Sequence, residues 1–207
     1  MSFVSGNFLE PPWDAPLDVA GCLRQIPDSA TVTGMFLEPL VEMARNKGVV
    51  LRSARDRYVP FRVYPMREHA ALLVEACERL YPNLALRQAL RKLGRGAPHA
   101  LLRSTIGKIT IGSASGVIDV LRAMSRAYPL NVHPSRVDVL EAVEGRAVVR
   151  IEQLHYFLDS HHVGAFESVL RFGGASSPRV LVCAYSPIDA DLLCTWGRPS
   201  LRRSITP

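Results

Sequence analysis

His155, His161 and His162 lie close together in the chain, with Asp159 between them. Imidazole and carboxylate are good ligands for a transition metal. Adjacent histidines point apart, however, and one strand-to-helix loop seldom supplies a full ligand set. A surface or helix-capping role is therefore expected for them, with Asp159 or Ser160 as the cap. Cys22, Cys77, Cys183 and Cys194 are widely spaced, and no Cys-x-x-Cys pair exists. Zinc-site spacing is absent, so neither a metal nor a cofactor is expected. The thiols are expected to be buried in a reducing, cytoplasmic compartment rather than joined, Cys183 and Cys194 across the last hairpin included. Nucleophilic catalysis needs a Ser or Cys beside a His that a third group holds. Ser113-Ala114-Ser115-Gly116 lacks both the Gly-x-Ser-x-Gly elbow and a strand before it. Gly107 to Gly116 lacks the Gly-Lys-Ser/Thr end of a phosphate loop. No catalytic set emerges, and an enzyme is the weakest of three function classes.

Charge is the second candidate chemistry. The net charge is +6. From Ser135 to Pro207, eight basic and eight acidic residues cancel. Between Leu84 and Ile118 there is no Asp or Glu, but there are Arg87, Arg91, Lys92, Arg95, Arg103 and Lys108. Arg87, Arg91 and Arg95 recur every four residues and share one helix face, where like charges repel. Two readings follow. The face binds an acidic protein or nucleic acid, or it is solvated or paired with acids elsewhere, such as Glu75 and Glu78. No aromatic residue lies between Leu84 and Ala127, so the base-stacking half of a single-strand site is missing.

These residues need elements to hold them. A chain of 207 residues that is 48% hydrophobic can bury a substantial core. No apolar run approaches the ~18 residues of a membrane span, and the N-terminus has no basic region or apolar core of a secretory signal. Residues 1–16, rich in proline, read as an arm that Phe3, Phe8 and Trp13 pack onto the body. Residues 17–26, 34–47, 65–80, 84–93 and 99–111 have helical apolar spacing, with a break at Gly94-Arg95-Gly96-Ala97-Pro98. Ser115 is the expected N-cap of a helix over 117–127. After His133-Pro134 the period becomes two. Segments 136–143, 146–152, 179–186 and 191–196 predict an antiparallel sheet, with a helix over 163–172 between its hairpins. The fold class is α+β, with a helical N-terminal two-thirds packed on a C-terminal antiparallel sheet. The expected organisation is an arm (1–16), a single domain (17–197) and a basic tail (198–207).

Gly34-Met35-Phe36-Leu37 opening a helix, Leu80-Tyr81-Pro82, Leu93-Gly94 and Leu101 through Lys108 resemble a paralogous family of uncharacterised myxobacterial proteins. Val163 through Gly174 resembles that family's glycine-led helix. The likeness covers roughly Thr31 to Trp196. More distantly, the layout is similar to the haem–nitric-oxide-binding, 4-vinyl-reductase-like and TRAPP small-subunit group, which implies an enclosed apolar ligand or an assembly role. Haem-binding members carry a Tyr-x-Ser-x-Arg motif, which is missing here. Tyr156-Phe157-Leu158-Asp159-Ser160 lies at a comparable place without the arginine. The TRAPP likeness raises an acylated, cavity-facing thiol at Cys77, against a plain core cysteine.

The leading expectation is a non-enzymatic ligand-sensing or protein-assembly module in signalling. Its apolar pocket would be formed by Leu73, Cys77, Leu101, Ile106 and Phe166, and its partner would be a protein or a small apolar ligand. The alternative is polyanion binding through the basic 84–108 face.

Overall fold

The computed structural model describes residues 6–98 and 114–197. The expected helix over 99–111 and tail over 198–207 lie outside the described residues, as do Arg103, Lys108, Leu101, Ile106 and Phe3. Elements run α1 (Val19–Gln25), β1 (Thr31–Thr33), α2 (Gly34–Asn46), β2 (Val63–Pro65), α3 (Met66–Leu80), α4 (Leu86–Gly94), α5 (Val117–Ala127), β3 (Val132–His133), β4 (Arg136–Val143), β5 (Arg146–Glu152), α6 (His161–Phe172), β6 (Ser176–Ala184) and β7 (Ala190–Gly197). The fold class is α+β, with two antiparallel sheets.

The larger sheet has the order β4-β5-β7-β6. Its central strands are apolar because both neighbours and the helical layer remove them from water: Val148, Val149, Ile151, Leu192 and Cys194 are buried. Asp191 is also buried there, and faces Arg150 across the β5–β7 ladder. The guanidinium grips its carboxylate with two bonds of 2.9 and 3.0 Å, a charge-assisted cross-strand pair. The smaller sheet, β2-β1-β3, is built on Thr31-Val32-Thr33 of β1. Its other strands are two or three residues long, too short for a period to show. Near the N-terminus, Leu9 exchanges two backbone bonds of 2.9 Å with Val182 on β6. All four cysteines are free.

Helix α3 is central. Its buried face, His69, Ala70, Leu72, Leu73, Ala76 and Cys77, packs against α1, α2, α4 and the small sheet. Helices α4 and α6 approach each other unusually closely. A Cβ on Gly94 would stand 1.9 Å from the His161 carbonyl oxygen, and one on Gly164 2.0 Å from that of Arg91. Any side chain at either position would wedge the pair apart, so these glycines set the depth at which α6 sits.

Two local expectations need correction. The N-cap position of α5 is Gly116 at φ 128°, not Ser115. Asp119 in the first turn accepts hydrogen bonds from the Ser115 backbone N–H (3.2 Å) and hydroxyl (3.1 Å), so the helix reaches back to the serine. Helix α6 begins at His161, two residues earlier than the apolar run beginning at Val163 indicated. Ser160 occupies the N-cap position without a side-chain cap bond.

Candidate functional site

That early start turns both histidines inward. His161 is 4% exposed and His162 2%, which overturns the surface or capping role expected for them. The reason is the glycine contact: Gly164 seats the first turn of α6 against α4, carrying both imidazoles into the core. Asp159 does not cap the helix either, since its carboxylate pairs with Arg87. His155 stays apart, half-buried. Among the described residues no group of three or more His, Cys, Asp or Glu could hold a metal ion.

A third imidazole joins them. His69, buried on α3, has its ring centroid 6.4 Å from that of His161, and the two rings are perpendicular. Tyr156 sits among all three, 5.4 Å from His69, 6.2 Å from His161 and 4.9 Å from His162. The edge-to-face pairs with His69 and His162 are favourable beyond the area they bury, and the His161 ring is tilted at 35°.

The three imidazoles are not equally satisfied. His162 Nδ1 lies 3.3 Å from the Phe157 carbonyl, and Nε2 lies 2.7 Å from the Tyr128 hydroxyl. A carbonyl only accepts, so Nδ1 carries the proton and Nε2 accepts from Tyr128. His69 and His161 differ, because the Nδ1 atom of each is buried with no hydrogen-bond partner among the described residues. Each such atom costs on the order of 1–3 kcal/mol. Burial also holds all three rings neutral. It pulls His69 down to about 3, His162 down to about 4 and His161 well below the usual imidazole range, with neighbouring imidazoles adding to the effect at His69 and His161. Burial raises the Tyr128 and Tyr156 phenols in the opposite direction.

The two unsatisfied rings line one cavity of about 420 Å³, within the size range of small-molecule sites. Helix α2 provides Met35, Phe36, Pro39, Leu40 and Met43 on one side, and α3 provides Leu73 beside His69. The end of α4 and the residues after it close another side with Leu93, Gly96 and Ala97. Of the residues expected at a pocket, Leu73 lines this cavity. Cys77 lines a different, smaller hollow with Tyr81, Leu84 and Leu86, and burial pushes its thiol up, away from reactivity. Phe166 packs against the core outside the cavity wall. His69 was missed by sequence reasoning. Its signal was its place on the apolar stripe of α3, three and four residues before Leu72 and Leu73.

The basic helix face has partners within the fold. Arg91 and Arg95 converge on Glu167 of α6, a residue with 0% exposure. Arg91 Nε lies 3.1 Å and Arg95 Nε 2.6 Å from its carboxylate oxygens. Arg91 also stacks on Trp13, 4.2 Å from the ring centroid. Arg87 is paired with Asp159, and Lys92 stands 4.5 Å over the Tyr81 ring. Glu75 instead accepts from Arg52, Ser53 and Arg79. The mutual repulsion of the three arginines is thus offset by Glu167 and Asp159.

Among solved structures, the fold is similar to the unliganded Fe(II) H-NOX protein from K. algicida, at 11% identity and TM-score 0.59, covering 80% of this chain and 97% of that one. The S. oneidensis H-NOX protein in its Fe(II)NO state matches at 10% identity and TM-score 0.58, covering 80% and 99%. A mutant of T. tengcongensis H-NOX matches at 12% identity and TM-score 0.53, covering 88% and 97%. At such identities the likeness is one of fold. The likeness raises haem as a question for this cavity, because those proteins hold iron. Among the described lining residues there is no Arg or Lys, and the one charged side chain is that of Glu42. Two propionates would meet no counter-ion among those residues, so the described lining does not fit that group. No curated protein matches the sequence. A family profile, by contrast, covers most of the chain: residues 25–197 match the family described as protein of unknown function (DUF2378), and the chain belongs to that family.

Proposed function

We propose that this protein is a non-enzymatic ligand-sensing module that encloses a small, mostly apolar molecule between α2 and α3 on one side and α4 and α6 on the other. One observation carries this reading: a cavity of about 420 Å³ has an apolar wall interrupted by two buried imidazoles with an unpartnered nitrogen each. The likeness to H-NOX proteins supports a sensing role at the level of fold. A signalling role suits the position of the cavity. It touches four helices, so an occupant that tightened their packing would alter the surface they present to a partner protein.

Native mass spectrometry of the purified protein, together with melting curves in naphthalene, tests the reading. A retained small molecule, or a rise of several degrees with naphthalene, is expected, since a ligand at a hundred times its Kd stabilises by about 2.7 kcal/mol. Leu73→Trp, which fills the cavity, should remove both signals. No bound mass and no naphthalene shift in the wild-type protein would defeat the reading.

A further inference from the structure

We propose that the occupant of this cavity is uncharged and carries one hydroxyl-like group, which bonds the imidazoles of His69 and His161 while the rest of the molecule is hydrocarbon. This rests on the reading of the cavity as a binding site and specifies what enters it.

Charge excludes most alternatives. The single charged residue of the described lining is Glu42, which is exposed and therefore stands at the mouth. An anion would pass a carboxylate and then find no cation among the described lining residues. A cation would pair with Glu42 only by staying at the rim, since no acid lies among the inner lining residues. Burying an unpaired charge of either sign is costly.

The polar part of the wall asks for a group that both gives and takes. A neutral imidazole has one N–H and one lone pair. Two such rings stand perpendicular with centroids 6.4 Å apart, so one small group can reach both. Pro39 has no N–H to give the Met35 carbonyl, so the helix leaves that oxygen without its usual donor, and both residues line the cavity. A pure hydrocarbon would leave both imidazoles unpaired. A hydroxyl can donate to one and accept from another. The remaining wall is adaptable, because the Met35 and Met43 thioethers adjust to irregular shapes.

Four probes of one skeleton separate the possibilities by isothermal titration calorimetry: naphthalene, naphthalenemethanol, naphthoate and naphthylmethylammonium. Naphthalenemethanol should bind at least about tenfold tighter than the other three. His69→Phe should bring it level with naphthalene without abolishing naphthalene binding, and His161→Phe should do the same. His69→Asn, which keeps a donor and an acceptor, should retain part of the preference and serves if a phenylalanine variant fails to fold. Equal binding of naphthalene and naphthalenemethanol would overturn the inference while leaving the cavity a binding site, as would tightest binding by naphthoate. Binding by none of the four would remove both the inference and the reading beneath it.

Discussion

Helix α6 carries two buried polar sites less than two turns apart, and they are built on opposite terms. At Glu167 a charge with no exposure meets two guanidinium groups, from Arg91 and Arg95. At His161, in the first turn of the same helix, a neutral ring has an Nδ1 atom with no partner among the described residues, and His69, in edge contact with it, repeats the pattern. The first site is closed by the fold itself. The second has no such partner among the described residues, and both of its rings line the cavity. The difference shows how one helix can be anchored at one point and available for recognition at another. The Glu167 clamp and the Gly94–Gly164 contact hold α6 against α4 and so position the imidazoles.

The strongest way to probe the imidazole side is acid. Above about pH 6.5 the three rings are neutral in both folded and unfolded chains, and their contribution to stability is complete. Below that value the unfolded chain takes up protons that the folded core refuses, because His69 titrates near 3, His162 near 4 and His161 well below its usual range. Stability should therefore fall as pH drops from about 6.5 toward about 4. At about pH 5 His69 and His162 cost about 2 kcal/mol each, and His161 adds to the loss in the same direction. Urea denaturation at about pH 7.5 and about pH 5 measures this. A pH-independent midpoint would show that the rings are solvated, and the contrast with Glu167 would vanish.

The clamp should break with the next largest effect. Changing Arg87, Arg91 and Arg95 together to Gln strands Glu167, and the loss should be about 3–5 kcal/mol. For a chain of this size that is a fall of about 6–20 °C in Tm. An unchanged Tm, with loss of a retained polyanion from the purified protein, would instead return the arginines to a binding role. The smallest effect sharpens the other half of the comparison. His69→Phe removes a polar atom that has no partner, so stability at neutral pH should not fall by more than about 1 kcal/mol. The same variant should lose part of the acid sensitivity, about 2 kcal/mol at about pH 5. A loss of several kcal/mol at neutral pH would mean that His69 is as fully bonded as Glu167.

Much of the scaffold could be read from local pattern. The change of period after His133-Pro134 located β4, β5, β6 and β7 to within a few residues, because side chains on a half-buried strand alternate regardless of distant partners. The helical periods did the same for α2, α3, α4 and α5. The short strands β2 and β3 escaped, since two or three residues carry no period and exist only where β1 offers them a ladder.

The site divides along the same line. The sequence by itself determined that Arg87, Arg91 and Arg95 share a face and that an unbalanced charge must be answered, because a 3.6-residue repeat is local geometry. It also determined that Leu73 points inward. It could not say that Glu167, more than seventy residues from Arg91 and Arg95, supplies the answer. Nor could it tell buried imidazoles from surface ones. The fate of His161 and His162 depends on how closely α6 approaches α4, and two distant glycines, Gly94 and Gly164, set that approach. His69 meets His161 only because α3 packs beside α4, against which α6 also lies. Burial and pairing are properties of contacts between remote segments, and only the tertiary structure brings those segments together.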